Sequence, residues 1–364
     1  MRTRAAVFHG PGRALEVREI ELEELRHDEV LVRMVAVGIC GTDLHNIKGE
    51  WQRPTPMVLG HEGAGIVEEV GNTVSSVRPG DRVVLSWAPS CGECDDCARG
   101  RPAACVPLHR AIGAGTLVDG RTGISLDGET LYRGTATGAL AERVVVAARV
   151  ALPLGDDVPL EEAALLGCAA LTGVGAALFA ARVQPNASVV IVGAGGVGQF
   201  VVQGALLAGA STVVSVDPVE DRGDQALRLG ATAAVAPENL KNVMRKLLPD
   251  GADYGFDAVG NPETTELALR WTRSGGTCVV VGLPAAGARF DLDPGEFNRR
   301  EKWLTGTMYG SEDPAVALPI LLEHVRAGRL QLRPLLGPTF PLDDVNDAIE
   351  ASLAGSAGRV VVQP

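Results

Sequence analysis

The order of apolar and polar positions changes character near residue 160. Before it, short β-rich runs at 30–37, 65–70, 82–85 and 143–146 alternate with turns such as Val-Gly-Asn-Thr and Arg-Pro-Gly-Asp, a pattern that predicts an antiparallel, barrel-like domain. After it, an Ala-rich stretch at 161–181 predicts a helix, and Ser-Val-Val-Ile-Val at 188–192 predicts a buried strand. Helices at 196–208 and 221–229 then alternate with strands at 212–216, 254–258 and 277–282. Strands alternating with helices argue for a parallel sheet built from βαβ units. The last 60 or so residues return to mixed texture, with helices at 315–327 and 342–354 and a closing strand at 359–362. The alternating part is therefore expected to sit between two segments of the other domain.

Composition narrows the function. A chain of 364 residues fits about two domains. Lys+Arg 33 against Asp+Glu 45 gives a net charge of −12, so no nucleic acid is expected as a partner, because a phosphate backbone needs a basic face. No apolar run reaches the roughly 18 residues of a membrane span, so no membrane partner is expected either. The opening MRTRAAVFHG lacks the apolar core of a secretory signal. Of the seven cysteines, four fall between residues 91 and 105, which suits thiolates held reduced for a metal better than a disulfide framework. A cytoplasmic protein is expected.

Three constellations carry chemistry. Cys91-Gly-Glu-Cys94-Asp-Asp-Cys97, followed by Cys105, can surround Zn²⁺ with four sulfurs and leave no open position, which makes a structural site. Cys40-Gly-Thr-Asp and Gly60-His61-Glu62-Gly63 offer one thiol and one imidazole, and Cys168 offers a third ligand in Gly-Cys-Ala-Ala-Leu-Thr-Gly. Two cysteines and a histidine leave a fourth position open, the arrangement of a catalytic zinc, with Glu62 tuning it from behind. A lone histidine is more often a satisfied core residue and Cys168 also fits plain packing; only the combination points to a metal. The third constellation is Gly193-Ala-Gly195-Gly196-Val197-Gly198, between a strand and a helix, the setting of a dinucleotide's pyrophosphate. At the end of the next strand Asp217 can accept from a ribose 2′-hydroxyl and repel a 2′-phosphate, favouring NAD; Arg222, one turn on, can meet the same ribose or a phosphate.

These motifs, with Pro79-Gly-Asp-Arg-Val and Gly167-Cys168-x3-Thr172-Gly, run along nearly the whole chain. Together they resemble the zinc-dependent alcohol dehydrogenases of the medium-chain dehydrogenase/reductase family. The resemblance implies an α/β protein with two domains: a GroES-like β-rich catalytic domain over 1–169, completed by 308–364, and a Rossmann doubly wound parallel-sheet domain over 170–307. It implies two zinc ions per chain, the catalytic one on Cys40, His61 and Cys168, and NAD as cofactor. Thr42 matches the hydroxyl that bonds the substrate oxygen, and His45 the outer end of the proton relay. Thr172 and Val197 match residues near the nicotinamide, Gly282-Leu283-Pro284 the stretch passing its amide, with Val281 before it also on the cofactor side, and Arg359 an arginine reaching the pyrophosphate. Trp87 matches an aromatic wall of the substrate pocket, ordinary core packing being the alternative.

The implied activity is reversible oxidation of a primary or aromatic alcohol to its aldehyde. The Gly/Thr-rich stretch 108–140 resembles the extended segment of the branch holding dimeric liver-type, glutathione-dependent formaldehyde and nicotinoprotein dehydrogenases. The alternatives are therefore an S-(hydroxymethyl)glutathione dehydrogenase and an enzyme with tightly held NAD. A non-catalytic NAD-binding redox sensor is the outsider. A homodimer is expected, a homotetramer being the other arrangement. Cys278 is expected in a core strand.

Overall fold

A computed structural model describes every residue except Pro89 and Ala357. The chain divides into two compact units, Met1–Cys168 with Asp313–Leu318 and Leu336–Pro364, and Ala169–Glu312 with Pro319–Leu335.

The first unit is organised by the strand Glu29–Gly38, which is buried along nearly its whole length. Its apolar run from Val30 to Val37 is interrupted only by Arg33. One edge pairs antiparallel with Glu62–Val70; on the other, Arg143–Ala147 covers Glu29 to Arg33 and Arg359–Gln363 covers Val37 and Gly38. This register sets Gly38 opposite both Glu62 and Val361. Residues far apart in the chain are thereby brought to one end of one strand. A second sheet of six strands forms around Arg2–Phe8. Val30, Val32, Val37, Val83, Val146 and Val362 are all fully buried in the shared core, each contributing about 1.5–3 kcal/mol by leaving water.

In the second unit six strands are all parallel, in the order Ala233–Val235, Thr212–Val216, Ser188–Val192, Ala252–Asp257, Thr272–Val280, Trp303–Gly306. The order reverses between Ser188–Val192 and Ala252–Asp257, whose last residues Val192 and Asp257 pair. Doubly wound sheets bind their ligands at such a reversal, beyond the carboxyl ends of the strands. The glycine loop leaves Val192 at that point and the helix Gly196–Leu207 follows it. Cys278 is fully buried in Thr272–Val280, as the sequence predicts.

One expected element is broken. The stretch 161–181 forms a short helix Leu160–Ala163, a 3₁₀ turn Ala164–Gly167, a helix Ala169–Gly175 and a π turn Ala176–Ala180, with a bend of 52° about Cys168. The break falls where the chain packs closely on a strand: a Cβ at Gly167 would lie 2.8 Å from the Leu85 carbonyl oxygen, so only glycine fits against the strand Arg82–Leu85 at that point. Cys168 takes φ −148 and ψ −64. Two helices, Leu240–Leu247 and Pro262–Trp271, are not among the expected elements, although the second opens on Asn261-Pro262 with Asn261 accepting from Thr264 N–H. Among the described residues no single helix is long and apolar enough to cross a membrane.

The stretch 108–140 folds into the end of the helix Val106–Ala114 and short strands. Arg133, only 1% exposed, ties it together by donating to the carbonyls of Thr122 and Thr137, and burial pushes its guanidinium down to about 10. Just beyond, Leu140 N–H donates to Leu59 and Ala139 N–H to Gly60, so the segment braces the backbone leading into His61.

Candidate active site

Four side chains of the first unit converge. One donor atom from each of Cys40, His61, Glu62 and Cys168 lies within 4.8 Å of all the others, and all four residues are buried. Each comes from a different constraint. Cys40 ends the strand Glu29–Gly38 segment and starts the helix Gly41–Ile47; His61 and Glu62 open the strand Glu62–Val70; Cys168 sits at the helix break. Glu62 faces Gly38 by register, and a Cβ at position 38 would lie 2.4 Å from Glu62 Oε2 and 3.2 Å from Arg359 Cγ, so only glycine leaves room for that pair. Arg359, expected at the pyrophosphate, is instead engaged within the first unit: its Nε is 2.9 Å from Glu62 Oε2, and its Nη1 donates to the Ile39 carbonyl.

The electrostatics fit a cation. Cys168 S–H donates to Cys40, which holds the Cys40 thiol well below its ordinary value and Cys168 well above. Burial pushes His61 down, but Asp43 and Cys40 outweigh it and hold the imidazole well above its ordinary value. Burial raises the Glu62 carboxyl to about 8 against the opposing pull of Arg359. A buried set this rich in anionic donors binds protons tightly until a metal displaces them. Two thiolates, one imidazole and no fourth competing ligand except Glu62 are the donor types of an open tetrahedral zinc site.

Asp43 is the member that sequence reasoning missed. Its Oδ2 accepts from Cys40 N–H and its Oδ1 from Gly60 N–H, both at 3.0 Å, and Oδ1 is 3.6 Å from His61 Nδ1. One buried carboxylate thus fixes the backbone at two ligand segments and faces the inner imidazole nitrogen, leaving Nε2 for a metal. Its only sequence signal is an acid three residues after Cys40.

Around this cluster, Thr42 Oγ1 is 3.8 Å from Cys40 Sγ. The Trp87 ring stands edge-on to His61 at 6.0 Å and is 7% exposed. His45, half-buried one turn after Thr42, gives its Nδ1–H to the Glu50 carboxylate and stacks on Trp51 at 4.6 Å. The second donor cluster is Cys91, Cys94, Cys97 and Cys105, again within 4.8 Å of one another. Backbone N–H groups from Glu93 and Cys94 lower the Cys91 thiol to about 6, while burial raises Cys105 to about 12.

In the second unit the glycine loop is held by side chains. Asp217 Oδ2 accepts from Ala194 N–H at 2.8 Å and Oδ1 from Val219 N–H at 2.9 Å; Arg222 Nη1 is 3.7 Å from Oδ2. The helix Gly196–Leu207 begins after Gly195 with no side-chain cap, which leaves its first N–H groups for an anion. On the neighbouring strand Asp257, fully buried, accepts from Val259 N–H, Gly260 N–H and the Thr265 hydroxyl, and its carbonyl accepts from Val281 and Gly282. Asp257 too carried no sequence signal, yet it shapes the stretch to which Val281, Gly282 and Leu283 belong. Thr172 is buried in Ala169–Gly175, and Val197 is half-buried at the start of its helix.

A buried thiol–imidazole cluster on a β-rich unit, with a glycine loop on a doubly wound sheet, defines a zinc-binding dehydrogenase. Residues 26–156 match the alcohol dehydrogenase GroES-like domain family and residues 196–323 the zinc-binding dehydrogenase family. The chain belongs to the zinc-dependent alcohol dehydrogenases of the medium-chain dehydrogenase/reductase family. It is 35% identical over 370 residues to alcohol dehydrogenase 6 of Peromyscus maniculatus, covering 100% of this chain and 98% of the relative. It is 34% identical over 369 residues to the S-(hydroxymethyl)glutathione dehydrogenase of Escherichia coli (strain SMS-3-5 / SECEC), covering 100% of both. Among solved structures, the benzyl alcohol dehydrogenase of Acinetobacter calcoaceticus superposes with a TM-score of 0.93 at 30% identity, covering 100% of this chain and 99% of that one.

Proposed function

We propose that this oxidoreductase interconverts a primary or aromatic alcohol and its aldehyde, using NAD. The observation that carries the reading is the buried Cys40, His61, Glu62 and Cys168 set beside the Trp87 ring. In this reading Cys40, His61 and Cys168 hold one zinc, Cys91, Cys94, Cys97 and Cys105 hold another, and Glu62 with Arg359 balances charge behind the first. A zinc held there would supply a Lewis acid to the alcohol oxygen, and a bound nicotinamide the hydride acceptor. Thr42 would accept the alcohol's proton and hand its own on through the ribose hydroxyls to His45, held in plane by Glu50 and Trp51, which would release it to solvent. Trp87 offers an apolar edge to an aromatic or aliphatic substrate. Gly193, Gly195, Gly196 and Gly198 let the pyrophosphate approach the helix amides, while Asp217 and Arg222 take the adenosine ribose. Thr172, Val197, Val281, Gly282 and Leu283 flank the nicotinamide.

A glutathione adduct is the second substrate to test, because relatives of that activity are 34% identical. Against it, the glutathione-dependent enzymes that this chain resembles carry acidic residues and an arginine for glutathione, and here the one acid in Gly49-Glu50-Trp51-Gln52 is already engaged by His45. The discriminating experiment is an assay of the zinc-loaded protein on benzyl alcohol, simple primary alcohols and S-(hydroxymethyl)glutathione, each with NAD and NADP. We expect benzyl or primary alcohols to win, and NAD to exceed NADP by about a hundredfold, since like charges set side by side cost several kcal/mol. Turnover of the glutathione adduct alone would replace the substrate reading, and a preference for NADP would remove the role given to Asp217.

We further propose a homodimer. Among the described residues the strand Trp303–Gly306 ends its sheet with one edge unpaired, and Trp303 is 69% exposed on it. An edge strand bearing a large apolar side chain is a template for a second copy. Trp303→Glu is expected to shift sedimentation from dimer to monomer; a tetramer insensitive to this change would place the contact elsewhere. The compartment we propose is the cytoplasm, since all seven cysteines are free thiols.

A further inference from the structure

Gln199 stands one residue past the last glycine of the loop and is 3% exposed. Its Nε2 donates twice, to the Ala194 carbonyl at 2.9 Å and to the Arg222 carbonyl at 2.8 Å. Ala194 lies inside the glycine loop, and its N–H is already given to Asp217. Its peptide neighbours are thus held from both sides, one by the carboxylate at the end of Thr212–Val216, the other by an amide from the helix Gly196–Leu207. The second bond, to Arg222, reaches the first turn of the helix Glu220–Arg228. Among the described residues no backbone hydrogen bond joins the glycine loop to that turn. A side-chain amide with two N–H groups is the one neutral group that can satisfy two carbonyls at once from a single buried position.

We infer that Gln199 is a positioning residue that sets the spacing between the glycine loop and the Asp217–Arg222 turn, and so preorganises the pocket for the adenosine half of a dinucleotide. The inference rests on the proposed dinucleotide site. Gln199 itself is not a coenzyme contact. It acts through Ala194 and Arg222, whose backbones carry the groups that would face pyrophosphate and ribose.

Gln199→Met keeps the length and helix propensity and removes both donors. Each lost bond of this kind costs roughly a factor of two to ten, so AMP, used as the adenosine probe, is expected to bind the variant about tenfold more weakly in calorimetry of the zinc-loaded protein. KM for NAD rises by a similar factor while kcat holds. Turnover supported by nicotinamide mononucleotide, which has no adenosine half, stays equal to that of the unchanged chain. Gln199→Asn, one methylene too short to span both carbonyls, gives the same pattern and serves if the Met variant does not fold. Equal AMP affinity in both variants overturns the inference. A parallel loss of mononucleotide turnover also overturns it, since the residue would then be a general structural prop. If the unchanged chain binds neither AMP nor NAD, the dinucleotide reading itself has failed, a result separate from either of these.

Discussion

Cys168→Ser is expected to leave the protein with one zinc per chain where the unchanged chain holds two, and to lower kcat at least about a thousandfold. Serine keeps the size but replaces a soft thiolate with a hydroxyl that is not ionised near neutral pH, so the catalytic cluster keeps one sulfur, one imidazole and a carboxylate. Losing a Lewis acid forfeits several kcal/mol of charge stabilisation, at about 1.36 kcal/mol per factor of ten. The four-cysteine cluster has no residue in common with this one, so its metal stays. Metal analysis and steady-state rates on the same preparation check both halves. Two zincs with undiminished turnover would show that the cluster is not where the chemistry happens. A chain with no zinc at all would show instead that the substitution had unfolded the first unit.

The second large effect concerns Asp43. Asp43→Ala removes the acceptor of two backbone N–H groups and the anion 3.6 Å from His61 Nδ1 in one step. Groups that orient a metal's ligands in this way typically account for a 10- to 100-fold difference in metal affinity or rate. Leaving Cys40 and Gly60 N–H groups buried and unpaired adds about 1–3 kcal/mol for each to the destabilisation. We expect faster loss of one zinc to a chelator, lower kcat and a reduced melting temperature. Asp43→Asn retains one acceptor and should fall between. Chelator kinetics that match those of the unchanged chain would reduce Asp43 to a helix-capping acid.

Local chemistry made much of this legible in the sequence. The four-cysteine cluster needs only spacing, because two-residue gaps turn successive thiols toward one point. The glycine loop needs only an apolar strand before it and a helix after it, and Asp217 follows from the length of one helix and one strand. The same locality explains what escaped. Asp43 and Asp257 look like ordinary acids until the backbone groups they accept from are known, and Gln199 reads as one more helix residue. The helix expected over 161–181 is a plain reading of Ala-rich periodicity, since nothing local announces that Leu85 crosses beneath Gly167.

The sequence by itself therefore determined the fold class, the family motifs and the donor types. Tertiary structure alone decided how the distant donors meet. Register along Glu29–Gly38 puts Glu62 and Val361 on either side of one glycine, where Arg359 meets Glu62 in the space a side chain would fill, and the 52° bend at Cys168 delivers the third ligand. Both are long-range consequences of strand pairing and steric contact, and the pattern of neighbouring residues holds no record of them.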